Sequence, residues 1–535
     1  MQRLIPFILF IFFTIAVTGQ NGPASSIQRP KLVVGIVVDQ MRWDYLYRYY
    51  DKYLPGGGFK RLLHQGFSCE NTMIPYTPTI TACGHTSIYT GSIPAIHGIT
   101  GNDWFDYDQN RIMYCSEDDS VKTVGSNTTA GKMSPRNLLV TTIGDELRIA
   151  TNFQSKVIGI AIKDRGAILP AGHSANGAYW YDSNTGDWIT SSYYRDSLPE
   201  WVREVNAQKL ADKYYGMDWN TLYPLNTYVE SDLTKTGLPY SLKQLAGKNY
   251  QVIAATPYGN SLTLDMAKAA ITGEQLGNNN AITDMLTVSL SSTDYIGHAY
   301  GPNSPEAEDC YLRLDKDLGD FIDFLDSKIG KRQYLVFLTA DHGAAQVPAF
   351  LKSHKIPAGN FDNENVTDAL NKLLFEKFKT ADLVYGIINY QVYLDRKIIT
   401  EKKLNKDSLY STVINYLLQD EAIERAFAIA DASSVTLNNK IKGAVMNGYY
   451  PQRSGDIQLI YKPQWIDGFL QRGTTHGLWN PYDAHIPLIW YGWNIPQGKT
   501  YREVYMTDIA PTVAAMLKIQ MPGGNVGQVI EEITK

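Results

Sequence analysis

Short apolar runs without polar alternation recur along the chain at residues 32–38, 157–162, 285–290, 334–338 and 486–491, and they constrain its fold more than any other feature. A strand with one wet face alternates apolar and polar side chains, whereas an unbroken run is covered on both faces. Helical patterns lie between the runs, at residues 58–64, 87–89, 138–150 and 310–325. This alternation predicts an α/β fold: a layered α/β/α domain around a largely parallel central sheet. Ligands of such sheets bind beyond the carboxyl ends of the strands. Asp39, Lys163, Asp294 and Asp341 all fall at or just after those ends.

Two segments interrupt the rhythm. Residues 174–261 are rich in Tyr, Trp, Asn and Gly, and 179–190 reads as a hairpin turning at Ser183-Asn184-Thr185-Gly186. Residues 383–464 carry strand-like stretches at 383–394 and 456–461 around a helix near 408–426. Both read as insertions into one catalytic domain spanning 21–535, placed to wall a site or to pack beside it. Ahead of that domain, residues 1–20 combine an early Arg, an apolar run over 4–17 and small polar residues, the pattern of a secretory signal peptide. The run is short for a bilayer span of about 20 residues. An exported protein, periplasmic or secreted and not membrane-bound, is expected.

The 535 residues carry a formal charge of only −5, with no Lys/Arg block. A nucleic-acid polymer is therefore excluded as a partner on electrostatic grounds, and any affinity for anions must be local. The four cysteines, Cys69, Cys83, Cys115 and Cys310, lack the paired spacing of a zinc ribbon. They are expected to be buried small residues or to form one or two disulfides of undetermined pairing. Cys83 has no nearby base that would argue for thiol catalysis.

Chemistry concentrates elsewhere. Thr81 lies on a turn after Pro78 and before a helical stretch, a position where threonine ordinarily serves as an N-cap. Its company argues for more. Asp294 and His298 stand four apart, on one face if the segment is helical. Asp341-His342-Gly343 directly follows an apolar strand, and the glycine allows the sharp turn that lets adjacent ligands share a metal. Thr474-Thr475-His476-Gly477 adds a late imidazole. With Asp39 these make three carboxylates and three imidazoles, a ligand set suited to zinc. His85 and His97 are expected to brace the turn around Thr81. His173 and His485 lie near site segments without a role of their own, and His64 and His354 carry no signal.

The strand ending in Asp39-Gln40-Met41-Arg42, then Thr81-Ala82-x-Gly84-His85, Ile88-Tyr89-Thr90-Gly91-Ser92-x-Pro94-Ala95-x-His97-Gly98 and Asn102, resemble the alkaline phosphatase superfamily. Lys163-Asp164-Arg165-Gly166-Ala167 and the Asp294, Asp341-His342 and His476 set are similar to its phosphate-irrepressible branch. The resemblance spans nearly the whole mature chain. It implies two Zn2+ ions, one held by Asp294, His298 and His476, the other by Asp39, Asp341 and His342 with Thr81 as an additional ligand and the nucleophile. It further implies that Asn102, Lys163 and Arg165 bind substrate, that phosphate monoesters are hydrolysed with broad specificity through a phosphothreonine, and that the enzyme is a monomer.

Two cations at the site favour a phosphate monoester, which presents more anionic oxygen than a diester. A nucleotide pyrophosphatase/phosphodiesterase shares the zinc core, threonine and amide, but typically has apolar surface where this chain has Lys163 and Arg165. A sulfatase is disfavoured because Cys83-Gly84-His85 does not fit that family's maturation signal. An exported binder of phosphorylated compounds without turnover is disfavoured by the intact nucleophile and ligand set.

Overall fold

Strand β1 (Leu32–Val38) is buried along its whole length and runs through the middle of the main sheet. The computed structural model describes residues 28–228, 236–468 and 472–534; the expected signal peptide at 1–20 lies outside them. Further strands of the sheet are β2 (Val157–Ala161), β3 (Gly177–Asp182), β4 (Asp284–Leu290), β5 (Tyr334–Thr339) and β6 (Leu488–Gly492). The order β6-β5-β1-β4-β2-β3 forms the centre of a sheet that has ten strands among the described residues. From β5 to β3 all neighbours pair in parallel. The apolar run at 486–491 departs from that pattern: β6 pairs antiparallel with β5. Val38 pairs with Leu290, and Val37 with Thr339, so the carboxyl ends of the three central strands finish level.

Helices α1 (Thr81–Thr90), α2 (Ile143–Ala150), α3 (Asp164–Ala171), α4 (Ser292–Tyr300) and α5 (Pro305–Leu325) pack around this sheet. The pattern over 138–150 becomes helical only from Ile143, because Thr142 caps it: its hydroxyl accepts from Asp145 N–H while Asp145 accepts from the Thr142 N–H. The hairpin expected over 179–190 forms, and its strands β3 and Asp187–Ser191 extend the main sheet. Beyond it, Trp219 Nε1, Leu222 N–H and the Tyr228 hydroxyl all donate to Asp309 on α5.

Residues 383–464 build a separate antiparallel sheet with its own apolar core of Leu370, Val392, Leu409, Leu417 and Leu459. Two expectations need correction here. The stretch 383–394 is not one strand but a hairpin, Val384–Ile388 and Gln391–Leu394, turning at Asn389 and Tyr390, whose φ values are 54° and 63°. The helix expected to 426 spans Lys406–Leu417, and Ile423–Ala428 is a strand paired with Ile457–Tyr461. The polar Gln419-Asp420 ends the helical pattern, and the residues after it bury their apolar side chains by pairing.

Asp145 joins α2 to the end of α3, accepting from Ser174 N–H and Oγ, each at 2.7 Å. Burial alone would raise this carboxyl, but the His173 ring and these donors hold it down at about 2. A depressed acid stabilises the fold above its unfolded value near 3.9 and loses that contribution as pH falls through the folded value. Asp145→Ala is therefore expected to cost about 1–3 kcal/mol at pH 7. The gap from the parent should narrow in denaturant titrations as pH drops from 4 towards 2.

Candidate active site

The strand ends deliver polar groups into one crevice. After Asp39 the chain turns at Gln40, whose φ of 64° is left-handed. From there the Gln40 N–H donates to Asp341 Oδ1 at 3.1 Å and its side-chain amide to Asp294 Oδ1 at 2.6 Å. Gln40 thus braces two of the three carboxylates. Sequence reasoning assigned it no part, because an uncharged residue after a strand carries no chemical signal.

Thr81 opens α1, but Ile80 holds the N-cap position and no side chain caps the helix. The Thr81 hydroxyl instead lies 3.3 Å from His342 Nε2. Gly84, nearly one turn on, lets α1 pass the Asp341 backbone; an added Cβ would stand 2.3 Å from the Asp341 carbonyl oxygen. Asn102 Oδ1 accepts from Ala82 N–H at 3.1 Å, which leaves its NH2 group to serve another acceptor beside the Thr81 segment.

The imidazoles share one device. His298, His342 and His476 set Nδ1 against the carbonyls of Thr474, Gly343 and Thr79, at 2.8, 2.9 and 2.7 Å. That pattern assigns the proton to Nδ1 and turns the Nε2 lone pair into the crevice, as a metal ligand requires. His298 Nε2 and His476 Nε2 lie 3.1 and 3.7 Å from Asp294 Oδ1. His342 Nε2 lies 3.6 Å from Asp39 Oδ1 and 3.4 Å from Asp341 Oδ2. The His342 and His476 rings stack with centroids 3.5 Å apart.

Asp39, Asp294 and Asp341 are all buried, and the cation among them is Lys163, with Nζ 2.7 Å from Asp39 Oδ2 and 2.5 Å from Asp294 Oδ2. Burial and the neighbouring Asp341 push Asp39 well above the usual carboxylate range. Burial opposes the ionisation of Asp294 and Asp341 too, yet adjacent histidines and Lys163 hold both below it. Burial, with His342 and His298 close by, lowers His476 strongly. One lysine leaves this acidic cluster undercompensated. Asp39 Oδ1 and Asp341 Oδ2 are cut off from solvent and accept no hydrogen bond, a costly state for a carboxylate that a metal ion relieves.

Among the described residues, two groups have metal-ligating geometry: Asp294, His298 and His476, and Asp39, Asp294 and His342. The first is the trio expected from sequence. The second draws in Asp294 where Asp341 was expected, so Asp294 faces both. Lys163 enters the crevice from just ahead of α3. Arg165 donates to the Tyr114 hydroxyl at 3.0 Å, while its buried Nε has no acceptor.

The remaining histidines stay outside both groups. His85 holds the Thr81 carbonyl and the Ser289 hydroxyl, and His97 the Ser87 hydroxyl. His173 faces Asp145, and His485 stacks on Trp43 with a centroid separation of 4.7 Å. All four cysteines are free and buried, which removes the disulfide alternative.

The family model of type I phosphodiesterase / nucleotide pyrophosphatase matches residues 33–476. Alkaline phosphatase PhoV of Synechococcus elongatus is 54% identical, over 95% of this chain and 94% of its own length. A Myroides odoratus protein named a calcium-transporting ATPase is 52% identical, over 97% of each chain. Alkaline phosphatase PafA of Elizabethkingia meningoseptica is 48% identical, over 97% of each. A crystal structure of wild-type alkaline phosphatase PafA superposes with a TM-score of 0.93, covering 95% of this chain and all of that one. With this likeness running over nearly the whole chain, the chain belongs to the type I phosphodiesterase / nucleotide pyrophosphatase family and is a phosphoric monoester hydrolase similar to the alkaline phosphatases PhoV and PafA.

Proposed function

We propose that the chain is an exported, monomeric, zinc-dependent alkaline phosphatase of broad specificity that works through a covalent phosphothreonine on Thr81. The observation that carries this reading is the Thr81 hydroxyl, 3.3 Å from His342 Nε2 at the edge of a buried carboxylate and imidazole cluster with bare oxygens. Asp294, His298 and His476 would hold one zinc. Asp39, Asp341 and His342 would hold the other together with Thr81, Asp294 lying close enough to contribute to both.

Bound zinc ions supply stabilisation of an alkoxide and neutralisation of the leaving oxygen. The chain's own groups do the rest. Thr81 Oγ attacks phosphorus and takes the phosphoryl group as the bond to the leaving alcohol breaks, its proton passing by way of solvent to the leaving oxygen. Water then attacks the phosphothreonine, the bond from phosphorus to Thr81 Oγ breaks, and a proton from that water restores the hydroxyl as inorganic phosphate is freed. The NH2 group of Asn102 and the charges of Lys163 and Arg165 address the non-bridging oxygens, whose charge the transition state spreads. These two cations favour a monoester over the diester that a nucleotide pyrophosphatase/phosphodiesterase would take. A signal peptide at 1–20 and a single catalytic domain over 21–535 with insertions near 174–261 and 383–464 complete the proposal. No helix among the described residues is long and apolar enough to cross a membrane.

Three measurements test it. On matched aryl phosphates the parent should prefer the monoester, and Lys163→Ala should lose about 10²–10³ of monoester kcat and narrow the preference; equal or faster diester turnover by the parent overturns the substrate assignment. Acid quenching of the parent with labelled substrate should trap label on Thr81, with none on Thr81→Ala, whereas label on another residue refutes the nucleophile. Exhaustive chelation should abolish turnover and lower the melting temperature, zinc restoring both. Ions held at 100 times their Kd contribute about 2.7 kcal/mol to stability, so a chelated protein that melts and turns over like the parent contradicts the metal assignment.

A further inference from the structure

The hairpin turn of the 383–464 segment touches the site from two sides. Asn389 and Tyr390 both hold left-handed backbone, with φ of 54° and 63°, a conformation that costs a non-glycine residue on the order of 1–2 kcal/mol. The turn is nevertheless pinned. The Tyr390 carbonyl accepts from Leu459 N–H at 2.9 Å and from Gln458 Nε2 at 3.1 Å, and its ring packs edge-on against Tyr461. The segment is also seated on the hairpin that follows Asn102, formed by Asp103–Asp106 and Arg111–Tyr114: Tyr385 stacks on Phe105 at 3.8 Å and Arg396 lies 3.7 Å over Tyr107.

From this anchored base the two side chains diverge. Asn389 Nδ2 donates to the Asp103 carbonyl at 2.8 Å and fills the space beside Gly101, where an added Cβ would stand 2.1 Å from it. It therefore grips both neighbours of Asn102. Tyr390 donates its hydroxyl to the His476 carbonyl at 2.8 Å and lies over Gly477, where a Cβ would meet its ring at 2.2 Å. It grips the peptide that carries the His476 imidazole.

We propose that Asn389 and Tyr390 are positioning residues for the reaction, Asn389 setting the Asn102 amide for phosphate and Tyr390 setting the His476 ring for its metal ion. The proposal rests on the functional reading above, in which Asn102 meets phosphate and His476 meets zinc. A supporting shell of this kind typically changes metal affinity or activity about 10–100-fold when removed.

Asn389→Gly keeps the left-handed backbone and deletes the amide, and Tyr390→Phe keeps the ring and deletes the hydroxyl, so both leave the turn able to form. For each, inhibition by inorganic phosphate, release of zinc to a chromophoric chelator and the melting temperature are measured. Asn389→Gly should raise the inhibition constant for phosphate about 10-fold with zinc release unchanged; Tyr390→Phe should speed zinc release about 10-fold with phosphate inhibition unchanged. Parent values for both variants overturn the proposal, as does a matching shift of both readouts in both variants together with a lower melting temperature. Asn102→Ala and His476→Ala run alongside: if these direct variants keep parental phosphate inhibition and zinc, the functional reading itself fails and takes the proposal with it.

Discussion

Three carboxylates buried together at the carboxyl end of a parallel sheet are the constraint on which the rest of this structure turns. Asp39, Asp294 and Asp341 converge because β1, β4 and β5 finish level. Like charges so placed repel and have lost their water, a cost repaid only by good geometry and opposite charge. Lys163 answers part of it, lying between Asp39 and Asp294. The bare oxygens of Asp39 and Asp341 express the remainder. An acidic, partly unsatisfied crevice into which imidazole nitrogens turn is what bound metal ions would complete, and a phosphoric monoester hydrolase uses such positive charge for its substrate.

Holding that arrangement falls to groups that have no chemistry of their own. Backbone carbonyls of Thr79, Gly343 and Thr474 orient the imidazoles. Gln40 spaces two carboxylates, and the missing side chain of Gly84 lets α1 bring Thr81 up to His342. The 383–464 segment has its own apolar core, and one of its turns meets both Asp103, beside Asn102, and the His476 carbonyl. That turn relates two site segments far apart in the chain, the residues on either side of Asn102 and the peptide of His476.

Much of this is legible in the amino-acid sequence. Unalternating apolar runs identified the buried strands, and polar residues directly after them identified the crevice. His298 one helical turn after Asp294, and Asp341-His342 after β5, were readable because local geometry alone brings each pair together. What escaped was set by distant contacts. Asn389 and Tyr390 carry none of the glycine that marks a tight turn, so the hairpin read as one strand. The strand at Ile423–Ala428 read as helix because its partner, Ile457–Tyr461, lies some thirty residues away. Gln40 looked inert because its partners, Asp294 and Asp341, are remote in sequence.

The amino-acid sequence by itself determined the layered α/β class, the inventory of carboxylates, imidazoles and hydroxyl, and the strand ends at which they lie, because those follow from periodicities of two to four residues. Only the tertiary structure decided that Asp294 faces both ligand groups, that Lys163 stands between two carboxylates, and that a turn of the 383–464 segment reaches Asp103, next to Asn102, and the His476 carbonyl. Those outcomes depend on how elements 86 to 286 residues apart are packed against each other, and no local pattern carries that information.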